Sequence, residues 1–324
     1  MDAALTGGRN LLGRLRHSSL SNPAAIIWIA VLALLIVAGL VSSGFVDGAH
    51  LLNVVRQSSG LGIVGIGQTT VIITGGIDLS NGSAITLIDV IAATLLNGSD
   101  QLLIPVVLLC LALGMFIGLL NGLVITKLKV PPLITTLGMA IILRGIAYVY
   151  TNGAPKGNTS PVLKFIGSGF VGPIPTQVIF WVVITLLAYV ALQRTPFGRY
   201  IYAVGGNLEA SRLSGVQTDR IIVLAYVVSG LSAAIAGLVL AGYIGTGSLS
   251  LGDGYDLNSV AAAVIGGTAF SGGTGSIIGT AGGALFLSMT FSLLRFLGLP
   301  YSNQLMVQGA ILIVAIYIYA RSQR

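Results

Sequence analysis

Three ionisable side chains stand within otherwise apolar segments, and they are the residues most suited to carry chemistry. Asp78 falls at a glycine-rich break, whereas Asp89 and Arg144 each lie inside a long apolar stretch. An ionisable group in such a setting is costly, so by default it is a candidate for proton or ion transfer. Asp78 is equally consistent with an N-cap of the helix that follows, and Asp89 with Arg144 could form a structural ion pair. Both alternatives stay open at this point.

The other reactive side chains do not combine into a catalytic or metal-binding constellation. His17, His50 and Cys110 are far apart in the sequence, so it indicates neither a metal site nor a nucleophile paired with its base. The chain also lacks the phosphate-binding motif G-x-x-x-x-G-K-[ST]. If ATP drives this protein, a separate chain must hydrolyse it.

Glycine motifs are frequent and are better explained by packing. The run Gly60–Gly65 fits the dinucleotide pattern G-x-G-x-x-G, but it lies inside an apolar segment and not after the strand of a βαβ unit. Close approach of helix backbones explains it better. The same packing is expected for two ladders of glycines at four-residue spacing, Gly114/Gly118/Gly122 and Gly275/Gly279/Gly283.

The composition predicts an all-α polytopic membrane protein. Only 8% of the 324 residues are charged, against roughly 25% in soluble domains. Several charge-free runs exceed the ~20 residues that a helix needs to cross a bilayer, and backbone groups in lipid must be satisfied within the segment. The net charge of +7 is attributed to basic residues at cytoplasmic helix ends rather than to nucleic-acid binding.

Hydropathy and charge together predict about ten transmembrane helices in one domain, residues 23–320, between cytoplasmic tails at 1–22 and 321–324. The first apolar run is longer than a signal-peptide core, so this span is expected to stay uncleaved. The segment Thr151–Thr176 is expected as an external loop. The predicted spans are Pro23–Gly44, Gln57–Thr74, Gly82–Leu96, Gln101–Thr126, Pro131–Tyr150, Gln177–Gln193, Ile221–Tyr243, two within Leu257–Leu294, and Gln304–Ala320.

The segment Arg194–Arg220 is the longest polar, charge-bearing stretch between two apolar runs, and charge placement puts it in the cytoplasm. Asn207 is a good N-cap, and Glu209 near the first turn suits the helix dipole. The next two residues are small enough for a partner surface to approach, and Gly215 can end the helix by adopting positive φ. A short helix with its own stop signals is therefore predicted, able to move as a rigid lever.

Two glycine-rich segments echo each other. Gly75–Gly82 aligns with Gly266–Gly273, and both read G-G-x-x-x-S-x-G after an apolar run. Paired glycine-interrupted segments in the two halves of a membrane protein point to a substrate path. Polar residues such as Gln68, Asn121 and Gln304 could line that path or could hydrogen-bond between helices. The candidate path residues are Gln68, Gly75, Gly76, Asp78, Ser80, Asn81, Asn121, Arg144, Gly266, Gly267 and Ser271.

Three blocks of sequence together resemble the ribose-type sugar permeases of bacterial ATP-binding-cassette (ABC) importers. They are GGIDLSNGS (Gly75–Ser83), FGRYIYAVGGNLEASRLSGV (Phe197–Val216) and YDLNSVAAAVIGGTAFSGGTGSIIGT (Tyr255–Thr280). The resemblance covers nearly the whole chain, with the blocks in the family's order. It implies a pore-forming transport subunit of a bacterial inner membrane, and not an enzyme.

The resemblance also implies partners. Two permease chains, identical or paralogous, would enclose the path, and a periplasmic or lipid-anchored binding protein would deliver a sugar. Cytoplasmic ABC ATPase subunits would bind ATP and Mg, and no cofactor is expected in this chain. Glu209-Ala210-Ser211, followed by Gly215, takes the place of the Glu-Ala-Ala-like signature that docks on the ATPase. The implied coupling residues are Arg199, Gly205, Gly206, Asn207, Glu209, Ala210, Ser211 and Gly215.

The substrate stays open. Members of the family handle pentoses, hexoses, polyols or a furanosyl signalling molecule, and a ribose- or galactofuranose-like monosaccharide is expected. The chain departs from the family at two positions. Ser211 stands at the third position of the Glu-Ala-Ala-like signature, and Asn81 stands where the family usually has valine. A polar Asn81 could tune the path or the turn. The alternative function is an ion-coupled secondary carrier for a small polar solute, acting alone through Asp78 or Asp89.

Overall fold

The protein is almost entirely helical in the computed structural model, which describes residues 23–322. The predicted tail 1–22 and the last two residues lie outside that range. Within it the helices are α1 (Pro23–Val41), α2 (Gly48–Ile73), α3 (Asn81–Leu96), α4 (Leu103–Lys127), α5 (Pro132–Thr151), α6 (Pro161–Ser168), α7 (Thr176–Arg194), α8 (Pro196–Gly206), α9 (Leu208–Leu213), α10 (Thr218–Ile244), α11 (Tyr255–Ile265), α12 (Ile277–Phe296) and α13 (Tyr301–Ser322), with a short 3-10 helix at Ser43–Val46.

Four very short strands complete the described elements. Strand β1 (Lys156–Asn158) pairs with β4 (Thr246–Gly247), and β2 (Phe170–Val171) pairs with β3 (Ile174–Pro175), both antiparallel. Three of the four lie in the segment predicted as an external loop, which also holds the short helix α6. The strands therefore order connections between helices and do not form a sheet core.

Six helices in the described range are long and apolar enough to cross a membrane: α1, α4, α5, α7, α10 and α12. This confirms the predicted helical, multi-pass architecture. Five of the six begin and end within three residues of the predicted spans. Helix α2 differs more, because it begins at Gly48 and not near Gln57. Its first three turns carry His50, Asn53 and Arg56, which lower the local hydropathy without disfavouring the helix.

Glycines let the helices approach closely, as predicted. Along α4 a β-carbon at Gly118 would overlap the Tyr226 carbonyl oxygen of α10, and one at Gly122 would lie 2.7 Å from the Val223 α-carbon. On α2 a β-carbon at Gly62 would overlap the Trp181 indole of α7. The G-x-G-x-x-G run and both ladders are therefore packing positions, which removes the need for any nucleotide to explain them.

Two of the predicted spans are interrupted helices. Helix α3 begins at Asn81, whose side chain bonds to Gln68, five residues before the end of α2. Because a helix rises 1.5 Å per residue, α3 starts about 7.5 Å back from the end of α2. The intervening non-helical residues 74–80 thus fold back beside α2. The break lies inside the helical bundle and not at its surface, since Asp78 and Ser80 are each 1% exposed.

The predicted eighth span is not a complete helix. Helix α11 has 11 residues, or about 16 Å, against a bilayer core of about 30 Å. The segment before it descends along α3, since the Ser248 amide bonds to Asp89 and the Gly252 amide to Thr86. A β-carbon at Gly82 would lie 3.3 Å from the Asp256 nitrogen, so the first turns of α3 and α11 meet. The sequence correctly divided the run Leu257–Leu294 into two helices at its glycine-rich centre, but it gave no sign that the chain before α11 returns along α3.

Candidate functional site

A buried polar cluster holds the start of α3. Asp78 Oδ1 accepts hydrogen bonds from the Ser80 amide at 3.0 Å and the Ser80 hydroxyl at 2.6 Å. Asn121 of α4 donates to the Ser80 hydroxyl at 2.9 Å. The N-cap interpretation of Asp78 is therefore wrong, because its carboxylate binds Ser80, before the first helical residue, and caps no amide within α3.

Asn81 joins the same cluster to two further helices. Its amide nitrogen donates to Gln68 Oε1 on α2 at 2.9 Å, and its Oδ1 accepts from the Ser229 hydroxyl on α10 at 3.2 Å. These side chains are at most 1% exposed. The structure thus brings five of the predicted path residues together: Gln68, Asp78, Ser80, Asn81 and Asn121. With Ser229 they bridge four helices in this conformation, and a valine at position 81 could make neither bond of Asn81.

Asp89 and Arg144 do not form the ion pair that the sequence left open. Arg144 Nη2 bonds to Asp253 Oδ1 at 2.6 Å, with both side chains about half exposed. Asp89 is fully buried and accepts the Ser248 amide at 2.7 Å. The sequence missed this arrangement because it does not show that the segment before α11 returns along α3. Arg144 stands apart from the polar cluster, on an open face of α5.

The two glycine-rich turns share one geometry. Gly75 at φ +84° and Gly267 at φ +89° each follow the end of an apolar helix. In the first turn the Gly75 amide donates to the carbonyl three residues earlier, and the Gly76 amide donates to the carbonyl five residues earlier. In the second turn the Gly267 and Thr268 amides make the same two bonds. The echo is therefore real, but Gly75 matches Gly267 and not Gly266. Sequence alone could not choose between adjacent glycines, because only one of each pair needs positive φ.

These turns meet the polar segment Arg194–Arg220 at a contact that we call the inner junction, formed by Ile73, Tyr202, Gly205, Gly273 and Gly275. The Gly273 amide donates to the Ile73 carbonyl at 2.8 Å, which links the two turns. From α8 the Tyr202 hydroxyl donates to the Gly275 carbonyl at 2.9 Å. Burial raises the pKa of the Tyr202 phenol, so the hydroxyl keeps its proton and its donor role.

Gly205 sits directly against the linked turns. A β-carbon at this position would overlap the Ile73 carbonyl oxygen and lie 2.6 Å from the Gly273 nitrogen. At Gly206 nothing lies within 4 Å of an added β-carbon. Of these two predicted coupling residues, the first therefore points into the junction and the second out to solvent. Both were predicted as coupling residues because the sequence shows two adjacent glycines and not which of them faces the turns.

The predicted short helix is present as α9. Asn207 Oδ1 accepts the Ala210 amide at 2.9 Å, which confirms the N-cap, and Glu209 lies in the first turn. Gly215 adopts φ +82°, and the next amide reaches back to the Ser211 carbonyl, which confirms the predicted stop. Arg199, Ala210 and the cap residues are exposed, whereas Ser211 is 7% exposed.

Two exposed leucines on α9 were not predicted as part of a contact surface. Leu208 is 44% exposed and Leu213 is 81% exposed. A six-residue helix that presents apolar side chains to solvent beside a first-turn carboxylate has the character of a contact surface. Both leucines lie in the polar segment Arg194–Arg220, but the predicted contact rested on the small residues between them.

The chain matches known transport proteins over most of its length. The family described as the permease component of branched-chain amino acid transport systems matches residues 50–316. The ribose import permease protein RbsC of Escherichia coli strain K12 is 36% identical over 299 residues, which cover 91% of this chain and 93% of that protein. The galactose/methyl galactoside import permease protein MglC of the same strain is 34% identical over 319 residues, covering 92% and 95%.

A third similar protein is named for another sugar. The fructose import permease protein FrcC of Rhizobium meliloti is 36% identical over 323 residues, which cover 96% of this chain and 89% of that protein. No solved structure matches the chain significantly. The similarity is thus to permease proteins, and it extends through α3, α11 and the helices of the polar segment Arg194–Arg220.

Proposed function

The chain belongs to the family of branched-chain amino acid transport system permease components, and from that premise we propose that it is the membrane subunit of an ABC importer for a monosaccharide. It is a multi-pass inner membrane protein, and its relatives are permeases. The sugar assignment is drawn from the ribose, galactose and fructose permeases that match at least 91% of this chain. A pentose or hexose fits all three better than an amino acid.

The observation that carries this proposal is the connection from α9 to the inner junction. An exposed, self-capped helix with two outward leucines offers a cytoplasmic ATPase subunit a rigid contact. Helix α8 connects α9 to the two glycine turns, so a displacement of α9 would reach both interrupted spans. The proposed coupling residues remain Arg199, Gly205, Gly206, Asn207, Glu209, Ala210, Ser211 and Gly215, with ATP and Mg²⁺ bound by the partner.

The rest of the assembly follows the same proposal. Ten spans would be α1, α2, α3, α4, α5, α7, α10, α11, α12 and α13, with both termini cytoplasmic. A second permease chain would complete the pore, and a periplasmic or lipid-anchored binding protein would present the sugar. The glycine turns, including Gly76, Gly266 and Ser271, would form the inner end of the path, while the polar cluster around Asp78 anchors it.

One observation favours the second candidate, an ion-coupled carrier. Asp78 Oδ2 and Asp89 Oδ1 are buried and accept no hydrogen bond among the described residues. Carboxylates of this kind can carry protons in secondary transporters. The two functions differ in their energy source, because a carrier works without an ATPase and an importer subunit does not.

Uptake of labelled sugars in cells tests the proposed substrate class. A strain that lacks this chain but keeps its ATPase and binding-protein partners is complemented with the wild-type gene. Uptake of radiolabelled ribose, galactose and fructose is compared with that of leucine. We expect restored uptake of at least one sugar and no change for leucine. Restored leucine uptake alone would show that the proposed substrate class is wrong.

A further inference from the structure

We propose that the cavity beside the first turn of α11 is a binding site for the hydroxyl groups of a monosaccharide on its way through the protein. This proposal rests on the proposed function and adds a place and a set of residues to it. The cavity, called here the α11 cavity, lies between α2, α7, α10, α11 and α12 and has a volume of about 300 Å³. That is the lower end of the usual range for small-molecule sites, about 300–1,000 Å³.

The interrupted span creates this space. A full-length helix would continue beyond Tyr255, but the chain before α11 instead runs as a non-helical segment along α3. The region above the first turn of α11 is thereby left open to side chains of the neighbouring helices. Among them are three rings, Tyr243, Tyr255 and Phe291. Aromatic faces beside a few polar groups are the usual lining of a pocket for a small organic solute.

Gln177 is the side chain that points to a ligand. It is 1% exposed, it lines the cavity, and neither its Oε1 nor its Nε2 has a hydrogen-bond partner among the described residues. Across the cavity, Asn258 Oδ1 also lacks a partner. Buried amide groups left without partners are costly, so native structures rarely keep them without a reason. A donor and two acceptors without partners thus belong to residues that line one cavity.

The chemistry of these groups selects for a hydroxylated, neutral ligand. A hydroxyl group can donate to the free acceptors and accept from the free donor, and a sugar carries several. The cationic group at the rim is already engaged, since Arg295 donates to Gln57 Oε1 at 2.8 Å. Arg56 likewise stacks over the Tyr243 ring, 4.9 Å from its centroid. The unpartnered buried atoms of the cavity-lining residues Gln177 and Asn258 belong to uncharged amides.

Cysteine labelling tests the site directly. The sequence has one native cysteine, Cys110, and it is fully buried. Ser288 lines the α11 cavity, and Ser99 is exposed on a distant loop. Ser288→Cys and the control Ser99→Cys are each assembled with the ATPase and binding protein in proteoliposomes. Both are treated with a methanethiosulfonate reagent, with and without the sugar that the wild type transports.

We expect the transported sugar to slow labelling of Ser288→Cys in proportion to 1 + [sugar]/Kd, which is about tenfold at about ten times the half-protecting concentration. Labelled Ser288→Cys should lose uptake. Labelling of Ser99→Cys should be unaffected by sugar and should leave uptake intact. Equal labelling rates of Ser288→Cys with and without sugar, while the wild type transports that sugar, would overturn the site but not the proposed function. A wild type that transports no ribose, galactose or fructose would contradict both.

A second pair of variants isolates the hydrogen bonds of Gln177. In the Ser288→Cys background, Gln177→Leu should raise the half-protecting sugar concentration about fivefold, the usual effect of losing one hydrogen bond. Gln308→Leu replaces another buried glutamine that does not line the cavity and should leave it unchanged. Membrane levels of both variants are measured alongside. Equal protection in the two variants, at equal membrane levels, would show that Gln177 does not bind the sugar.

Discussion

Replacing Gly205 by alanine is expected to abolish ATP-driven sugar uptake, although it adds only one methyl group. The added β-carbon would overlap the Ile73 carbonyl oxygen that accepts the Gly273 amide, at the point where the two glycine turns join. Backbone cannot move aside as a flexible side chain can, so α8 must separate from the turns or the turns must part. Either change breaks the proposed connection between the ATPase contact and both interrupted spans. Uptake by the assembled importer is the measurement.

The neighbouring residue supplies a matched control. Gly206→Ala makes the same chemical change in the same helix, but nothing lies within 4 Å of its β-carbon. Alanine is favoured over glycine in helices by about 1 kcal/mol, so propensity alone predicts that both variants are tolerated. We expect wild-type uptake from Gly206→Ala. If Gly205→Ala also transported normally, the inner junction would not transmit movement.

Reversing the charge of Glu209 is expected to abolish co-purification of the ATPase while leaving the chain in the membrane. Glu209 is exposed in the first turn of α9, where a carboxylate is favoured by the helix dipole and an arginine is not. Gly215→Trp should have the same effect, because the side chain is strained at φ +82° and obstructs the end of the helix. The measurement is the ATPase recovered per permease after affinity purification of the complex.

Two controls separate docking from folding. Gly98→Trp introduces the same side chain at a glycine with φ +82° and open surroundings, but on the loop between α3 and α4, far from α9 in the fold. Glu209→Gln keeps the shape of the side chain and removes only its charge. Both should retain most of the ATPase. Full recovery with Glu209→Arg and Gly215→Trp would remove α9 from the ATPase contact.

Local signals in the sequence predicted local structure well. The N-cap at Asn207 and the stop at Gly215 were readable because each depends on residues only a few positions away. The ladder Gly114/Gly118/Gly122 was readable for the same reason, since four-residue spacing places it on one helix face, whereas Gly275 of the second ladder precedes its helix. The multi-pass class followed from the scarcity of charge, which no arrangement of the helices could change.

Long-range partners could not be predicted in the same way. Asp89 and Arg144 looked complementary in sequence, yet the chain before α11 returns into the bundle and places Asp253 beside Arg144 instead. The α11 cavity depends on the same return, so Gln177 carried no sequence signal. Even the repeat of the glycine turns was displaced by one residue, because sequence identity does not show which glycine adopts positive φ.

Uptake by the purified chain in proteoliposomes tests the central claim most directly. One preparation contains this chain with its ATPase and binding protein, and the other contains this chain alone with an imposed proton gradient. We expect accumulation of the labelled sugar only in the first, dependent on ATP and on both partners. Accumulation by the chain alone, driven by the proton gradient, would contradict the importer function and would favour proton transfer through Asp78 or Asp89.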